Sequence, residues 1–280
     1  MVTARKRLGF SPHAYCLPLV EGLQHHAAFE LSVDATTRNA VRLRERELDA
    51  AFLTPIDYAR ESSEYQIVPA IAVSSCQGND TIVLHFREGL RDISTLAVNP
   101  SSTSEIILAK ILLAEKFDVE PTFLPVSGSL ADLLAKGDAA LLVGDQAVEA
   151  SSSHLNKLDL VDEWVDLVEL PYIHGVWCGR EDALQPRDIA RIQQAKEDGM
   201  REMEKIAAEA AMRFAHRPSA ELTKAYLESF SFDFTEDVRK GLDEFLRYAY
   251  YYGVLPDVAD LHFFDISSID TTGPDELSLN

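Results

Sequence analysis

Hydrophobic positions in the first two thirds of the chain fall in short, almost continuous apolar runs. Eight of these runs predict strands: LGFS, FELSVD, DAAFLTP, QIVPAIAV, TIVLHF, STLAVNP, PTFLPV and AALLVGD. Between them, TTRNAVRLRERE, SEIILAKILLAEKF and SLADLLAKG have the spacing of helices. Because continuous apolar runs are typical of strands buried on both faces, the alternation predicts an α/β protein.

The pattern changes from about residue 185 to long helical segments. Residues 188–216 predict one helix that ends before Pro218. Residues 219–230 and 235–253 predict two more helices, the last with Gly253 as its C-terminal cap. The polar, acidic residues 266–280 predict a flexible tail.

The overall charge restricts the classes of partner. A chain of 280 residues with a net charge of −20 lacks the basic surface that nucleic acids and anionic membranes require. No run of about 18 apolar residues predicts a membrane span. The three cysteines have neither metal-ligand nor CxxC spacing, and an unpaired, odd set suits a reducing compartment, so a cytoplasmic location is expected. A homodimer is compatible with the sequence.

Polar clusters follow four of the predicted strands, at 52–57, 73–80, 99–104 and 143–147. In open α/β sheets ligands bind at the carboxyl ends of strands, so the four clusters together predict a cleft for a small molecule. Each cluster alone is also explained by turn formation. Asp145, which follows Gly144, is interpreted first as a helix cap and alternatively as a group that orders the site. Nucleotide-binding glycine motifs and metal-ligand spacings are absent, so neither a cofactor nor a metal is predicted.

The segment NPSSTS places four hydroxyl residues where a strand gives way to a helix: Ser101, Ser102, Thr103 and Ser104. One hydroxyl is enough to cap a helix. The unpaired N–H groups and the positive end of the helix dipole can hold an anion at this point. The alternatives are an anion site and a serine-rich cap without a ligand.

Several motifs in a fixed order resemble the chorismate dehydratase family of the futalosine route to menaquinone. They are the Ser-x-Thr-Ser helix start at 101–104, GDAALLVGDQA at 137–147, Asp-Leu-x-x-Glu-Trp at 159–164 and Leu-Pro followed by Val-Trp within 170–177. FLTPIDYA at 52–59, IAVSSCQG at 71–78 and the closing helix at 239–255 are also similar to family segments. The resemblance runs from about residue 9 to residue 255.

The resemblance implies a two-lobed fold similar to type II periplasmic binding proteins, with extra C-terminal helices. It assigns residues 1–96 and 173–265 to lobe 1 and residues 97–172 to lobe 2, with crossovers near 95–98 and 171–178. The implied activity is that of a carbon–oxygen lyase without a cofactor. It removes water from chorismate, a small anionic substrate, and yields 3-[(1-carboxyvinyl)oxy]benzoate.

The same resemblance implies the site residues. Ser101, Thr103 and Ser104 would bind a substrate carboxylate, while Tyr15, Thr54, Ser75 and Gly78 would line the opposite wall. The family motif Tyr-Leu-Asn-x-x-Pro-Leu is His-Ala-Tyr-Cys-Leu-Pro-Leu at 13–19 here, so Tyr15 replaces an asparagine associated with the reaction. We therefore expect binding with slower turnover. The alternative is a non-catalytic protein of the same fold that binds a small carboxylate.

Overall fold

A computed structural model describes residues 5–24 and 26–266, which form two five-stranded mixed sheets with helices packed on both. All eight predicted strands are confirmed, and two further strands, β9 and β10, complete the sheets. The strands are β1 (Lys6–Phe10), β2 (Phe29–Val33), β3 (Ala50–Leu53), β4 (Tyr65–Ser75), β5 (Ile82–Phe86), β6 (Thr95–Val98), β7 (Thr122–Pro125), β8 (Ala139–Val143), β9 (Asn156–Asp159) and β10 (Tyr172–Arg180).

The helices include the three predicted between strands and several short ones at strand ends. They are α1 (Leu17–Val20), α2 (Thr36–Arg44), α3 (Pro55–Ala59), α4 (Thr103–Phe117), α5 (Leu130–Leu134), α6 (Asp145–Glu149), α7 (Leu160–Val168), α8 (Pro186–Arg201), α9 (Met203–Ala211), α10 (Ala220–Glu228) and α11 (Glu236–Tyr251). In the part of the chain that the structure describes, no helix is long and apolar enough to cross a membrane.

The first sheet has the strand order β2-β1-β3-β10-β4 and forms the centre of lobe 1. Strands β1, β2 and β3 are parallel, whereas β10 is antiparallel to both β3 and β4. The second sheet has the order β7-β6-β8-β5-β9 and forms the centre of lobe 2. Its parallel strands β6, β7 and β8 place their carboxyl ends together, and β5 runs antiparallel to β8 and β9. This architecture confirms the predicted two-lobed α/β class.

The first crossover between the lobes lies earlier than the sequence predicted. Strand β5 pairs with β8 and β9 in the second sheet, so the assignment of its residues to lobe 1 is wrong. The chain leaves the first sheet at the end of β4 and crosses within residues 76–81. It returns through α7 to β10, which begins next to the second predicted boundary. A strand buried on both faces carries no mark in sequence of the sheet to which it belongs.

The C-terminal helices pack on lobe 1, but the predicted single helix over 188–216 is two helices. Glu202 separates α8 from α9 with φ −97° and ψ 18°, outside the helical range, and the chain turns there. Helix α8 contacts α1, and α11 contacts β10 and α3. Gly253 has φ +68° directly after α11, as the predicted C-terminal cap requires. The predicted tail, apart from its first residue, lies outside the described residues.

Candidate active site

A cleft of about 300 Å³ lies between the lobes, at the carboxyl ends of parallel strands from both sheets. Lobe 1 contributes the loop after β1 and the beginnings of α2 and α3. Lobe 2 contributes the ends of β6 and β8 and the beginnings of α4 and α6. Strand ends and helix beginnings together supply polar groups to one space, which is where open α/β folds bind ligands.

Five of the sequence-predicted residues line this cleft: Tyr15, Thr54, Ser101, Ser102 and Asp145. Thr54 precedes α3, and its hydroxyl donates a hydrogen bond to Oδ2 of Asp57 at 2.9 Å. Asp145 is the first residue of α6 and accepts a hydrogen bond from the backbone N–H of Ala14, 2.9 Å away. Because Ala14 belongs to lobe 1, Asp145 joins the lobes instead of capping its own helix.

The other predicted residues do not line the cleft. Ser104 is fully buried, and its hydroxyl accepts a hydrogen bond from the backbone N–H of Ile56 at 3.0 Å, so it joins α4 to the start of α3. Thr103, the first residue of α4, does not reach the cleft surface. Ser75 is buried as well, with its hydroxyl 3.0 Å from Nε2 of His174.

Gly78 lies in the first crossover and faces a different space. Its backbone N–H donates to Oδ1 of Asp162, and an added Cβ would lie 2.5 Å from the Asp162 carboxyl carbon. Gly78 lines a second cavity of about 550 Å³, which is mainly apolar and borders α10 and the end of α6. The expectation that Ser75 and Gly78 form a wall of the ligand cleft therefore differs from their positions in the structure.

Some hydrogen-bond donors at the beginning of α4 already have partners within the protein. The Asn99 side chain accepts hydrogen bonds from the backbone N–H and the hydroxyl of Ser101, at 3.1 and 2.8 Å. Glu105, in the first turn of α4, is buried and lines the cleft. A carboxyl group of the protein thus lies in the first turn of the helix, near the place where the sequence predicted an external anion.

Glu105 lines the cleft although only 3% of its surface is exposed. Burial, and to a smaller extent the nearby Asp57, raise the pKa of Glu105 to about 7, although the backbone N–H of Glu105 opposes both effects. Among the described residues, no Lys or Arg forms an ion pair with Glu105, and none lines the cleft. The environment of Glu105 therefore favours its neutral, protonated form.

His13 projects from lobe 1 against the loop that begins α6 in lobe 2. Its imidazole lies directly over Gly144, where an added Cβ would be 2.0 Å from Nδ1 of His13. Burial lowers the pKa of His13, and the Asp145 carboxylate partly offsets this. Burial raises the pKa of Asp145, while His13 and the N–H of Ala14 oppose that shift. His13 is thus a neutral imidazole next to a carboxylate.

Replacing Gly144 with alanine is expected to displace His13 and to lower both stability and ligand binding. Gly144 has φ +63° and ψ −137°, a conformation that costs a residue with a side chain about 1–3 kcal/mol. The new methyl group would in addition overlap the imidazole ring. Denaturant unfolding measures the first effect, and calorimetric titration with the ligand measures the second.

Gly253→Ala is the matched control, because Gly253 has φ +68° but no atom within 4 Å of an added Cβ. It reports the cost of a positive φ without a steric conflict. If the two variants lose the same stability and Gly144→Ala binds ligand normally, the contact between Gly144 and His13 has no role in the cleft.

Tyr15 forms the wall behind His13 and is 2% exposed. Its ring stacks on His13 with centroids 5.2 Å apart, and it packs against Phe230 at 5.2 Å and His174 at 5.5 Å. Burial lowers the pKa of His174 to about 3, so this imidazole is neutral, and burial raises that of the Tyr15 phenol well above its usual value. The tyrosine is therefore a neutral hydrogen-bonding group on a rigid aromatic wall.

Sequence reasoning missed the two cleft residues with the most chemistry, His13 and Glu105. Glu105 directly follows the Ser-x-Thr-Ser motif, and His13 occupies the first position of the motif that departs from the family. The position of each residue, within or directly after a family motif, was the signal that could have identified it. Within residues 5–24 and 26–266, no group of three or more His, Cys, Asp or Glu residues is placed to hold a metal ion.

Solved structures share the fold over most of the chain. Protein AF1704 from Archaeoglobus fulgidus aligns with a TM-score of 0.73 at 20% identity and covers 91% of this chain and 100% of its own. The periplasmic aliphatic sulphonate-binding protein SsuA from Escherichia coli aligns with a TM-score of 0.64 at 15% identity and covers 92% and 96%. These likenesses confirm the fold similar to periplasmic binding proteins.

Comparison with known sequences identifies the family of this chain. The chain is 23% identical over 217 residues to a chorismate dehydratase from Thermus thermophilus, which corresponds to 71% of this chain and 79% of the relative. A family model described as menaquinone biosynthesis matches residues 6–251, which include both lobes and the helices that pack on them. Because this match spans far more than half of the sequence, the chain belongs to the menaquinone biosynthesis family.

Proposed function

We propose that this protein is a carbon–oxygen lyase that removes water from chorismate and forms 3-[(1-carboxyvinyl)oxy]benzoate. The main support for the proposal is a cleft between the lobes, lined by hydrogen-bond donors and acceptors, in a chain of the menaquinone biosynthesis family. The name of its Thermus thermophilus relative supports the same reaction. Since the product ring is aromatic, the reaction is strongly favourable. The protein has to orient the substrate and assist departure of water. We place this activity in the cytoplasm.

The cleft residues divide between two tasks. Ser102, just before α4, offers its hydroxyl to one carboxylate of the substrate, and Ser101, whose N–H and hydroxyl already donate to Asn99, lines the cleft beside it. The phenol of Tyr15 offers a hydrogen bond from lobe 1, and the Thr54 hydroxyl, which donates to Asp57, can accept one from a substrate hydroxyl. Asp145 holds the lobes together across the cleft and leaves its second oxygen for a substrate hydroxyl. The two lobes thereby close on one small dicarboxylate.

A non-catalytic binding protein for a small carboxylate is the second candidate. Two observations favour it: Tyr15 stands where the family pattern has asparagine, and the shared fold includes a sulphonate-binding protein. A binding protein needs the cleft and its donors but no group that transfers a proton. The two candidates therefore differ in turnover and not in binding.

Incubation with chorismate is expected to yield a product that is lighter by one water, detected by mass spectrometry. The rate should exceed that of chorismate alone under the same conditions and should rise in proportion to protein concentration. Gly144→Ala, in which the cleft is disturbed, serves as the matched control and should be slower. Saturable binding of chorismate without loss of water would establish the binding-protein alternative.

A further inference from the structure

The second cavity, of about 550 Å³, lies between the lobes beside the first crossover, and the proposed reaction does not use it. Gly78, Asn79 and Asp80 of the crossover form one side of it. Lobe 2 contributes the end of α6 and the residues that follow it, and lobe 1 contributes α10 and the loop between α9 and α10. Sites for small molecules have volumes of roughly 300–1,000 Å³, so this cavity is large enough for one.

Hydrogen bonds between the lobes border the cavity. The Glu149 carboxylate at the end of α6 accepts a hydrogen bond from the backbone N–H of Ala215 in lobe 1, and the two atoms are 2.6 Å apart. The hydroxyl of Thr81, at the end of the crossover, lies 3.3 Å from the hydroxyl of Tyr226 on α10. The lobes are therefore in contact around the cavity, and a molecule inside it would contact both of them.

Apolar side chains supply most of the lining. They are Val148 from lobe 2 and Phe214, Pro218, Leu222 and Tyr226 from lobe 1. Leu222 is 67% exposed, so a ligand in the cavity would cover a large apolar side chain that otherwise faces water. Removing apolar surface from water is favourable. The lining therefore favours a ligand with an aromatic or alicyclic hydrocarbon body.

The charges around the cavity disfavour an anion. Asp80 and Glu149 are among the lining residues, and no Lys or Arg is among the described residues that line it. Lys157 offsets the charge of Asp80, since its Nζ lies 2.8 Å from Oδ1. Ala215 contacts Oε1 of Glu149, which leaves Oε2 to accept a hydrogen bond from a ligand. A neutral ligand with one donor group matches this lining, whereas a dicarboxylate such as chorismate does not.

We propose that this cavity is a regulatory site for a neutral small molecule with an aromatic or alicyclic body and one hydrogen-bond donor. The molecule binds between α6 and α10 and stabilises the arrangement of the lobes that forms the cleft. A ligand shifts an equilibrium only by its differential affinity for the two states. Here the difference arises because the walls come from both lobes, and a change in the angle between the lobes moves the walls relative to each other.

Helix α6 connects the cavity to the cleft. Asp145, its first residue, lines the cleft and accepts the backbone N–H of Ala14 from the other lobe at 2.9 Å. Val148 and Glu149, at its other end, line the cavity. The helix has only five residues. A ligand that holds the end of α6 against lobe 1 therefore also holds Asp145 near Ala14.

A series of aromatic rings forms a second connection. The ring of Tyr226, which lines the cavity, lies edge-on to Phe230 with centroids 5.2 Å apart. Phe230 in turn packs against Tyr15, which lines the cleft, also at 5.2 Å. A ligand that contacts Tyr226 is thus separated from the wall of the cleft by one ring. Coupling between two sites on one protein typically changes affinity by roughly 5–150-fold.

The probe for the site is N-phenyl-1-naphthylamine, a neutral molecule with two aromatic groups and one N–H donor. Its fluorescence should rise with saturation at one molecule per chain. The matched probe is 8-anilino-1-naphthalenesulfonate, which has the same body and an added sulfonate. It should bind about fivefold more weakly or worse at low salt, because Glu149 and the net charge of −20 repel it. Equal affinity for both probes would overturn the assigned ligand class.

Two substitutions fill the cavity from opposite sides. Ala225→Trp places a large ring in it from an exposed position of α10, and Ser152→Trp does so from an exposed position of lobe 2. Each should weaken binding of N-phenyl-1-naphthylamine at least tenfold. Glu221→Trp is the matched control, because it adds the same ring to an exposed position of α10 outside the cavity. If all three variants bind the probe as the wild type does, the probe binds elsewhere and the site is overturned.

Hydrogen exchange at the backbone N–H of Ala14 measures the effect on the lobes without chorismate. This N–H is bonded to Asp145 across the cleft, so it exchanges when the lobes separate. Saturating N-phenyl-1-naphthylamine should slow the exchange about fivefold or more in the wild type and in Glu221→Trp. It should have no effect in Ala225→Trp. Unchanged exchange in the wild type with the probe bound would overturn the regulatory role.

Titration with chorismate, followed by calorimetry, relates the site to the proposed function. The probe should lower the Kd for chorismate about fivefold or more, and chorismate should lower the Kd for the probe by the same factor, because coupling is reciprocal. If chorismate binds with an affinity that the probe leaves unchanged, the regulatory role is overturned. If chorismate does not bind at all, the proposed function fails, while slower exchange at Ala14 would still support the regulatory site.

Discussion

Replacing Trp164 with alanine is expected to lower the free energy of unfolding by about 3–5 kcal/mol. Trp164 lies on α7, in the second crossover between the lobes, and is completely buried. Its ring packs edge-to-face against Tyr172, Phe245 and Tyr248 at centroid distances of 6.4, 5.7 and 5.8 Å. The side chain thus joins α7 to β10 and α11, and its loss leaves a cavity among three aromatic rings. Denaturant titration measures the change.

Two control variants separate the causes. Tyr251→Ala removes a large aromatic residue from α11 that is 71% exposed, and it should change the unfolding free energy by less than about 0.5 kcal/mol. Trp164→Phe keeps most of the packing but loses the hydrogen bond from Nε1 to the carbonyl of Pro171. If Trp164→Ala is no more damaging than Tyr251→Ala, the crossover does not depend on this cluster.

Hydrophobic pattern was sufficient for the strands that are continuous apolar runs, but not for β10, an interior strand of the first sheet. Strand β10 reads YIHGVWCGR, in which two glycines and a histidine interrupt the apolar run. Gly175 is required because an added Cβ would lie 2.5 Å from the ring of Phe52 on β3. Only the neighbouring strand explains the glycine, so a single sequence does not indicate that this segment is an interior strand.

The first boundary between the lobes could not be predicted from local sequence either. Strands β4 and β5 are both buried and apolar, and six residues separate them. They pair in different sheets because β5 finds its partners β8 and β9 more than 50 residues later in the chain. The local amino-acid composition does not indicate which strands pair. The second boundary lies next to Pro171 and was closer to the prediction.

For the site, the sequence located the segments better than the side chains. The helix start at residues 99–104 does border the cleft, as its hydroxyl residues indicated. Within it, helical geometry points Ser104 to the N–H of Ile56 and Glu105 to the cleft. Nothing in the hydrophobic pattern of the sequence distinguishes Glu105 from an ordinary solvated position. Its burial depends on α3, which belongs to the other lobe.

Replacing Tyr15 with asparagine is expected to lower turnover at least a hundredfold, although family resemblance alone predicts a gain. The ring of Tyr15 is 2% exposed and is packed between His13, His174 and Phe230. Asparagine cannot fill that space, so His13 loses the surface on which it stacks. A displacement of about 1 Å in the groups that position a substrate can cost a hundredfold in rate. Unfolding free energy should fall as well, by about 3 kcal/mol, the cost of truncating a buried aromatic ring.

Tyr15→Phe is the matched variant, since it keeps the ring and removes the hydroxyl. A phenol that donates one hydrogen bond to the bound substrate contributes about 0.5–1.5 kcal/mol, so Tyr15→Phe should slow the reaction by roughly tenfold or less. Steady-state rates with chorismate, together with denaturant unfolding of both variants, distinguish packing from chemistry. A hundredfold loss in Tyr15→Phe would make the phenol a working proton donor. A gain in turnover for Tyr15→Asn would mean that the cleft can accept the family's asparagine, and that the aromatic wall limits the reaction instead of supporting it.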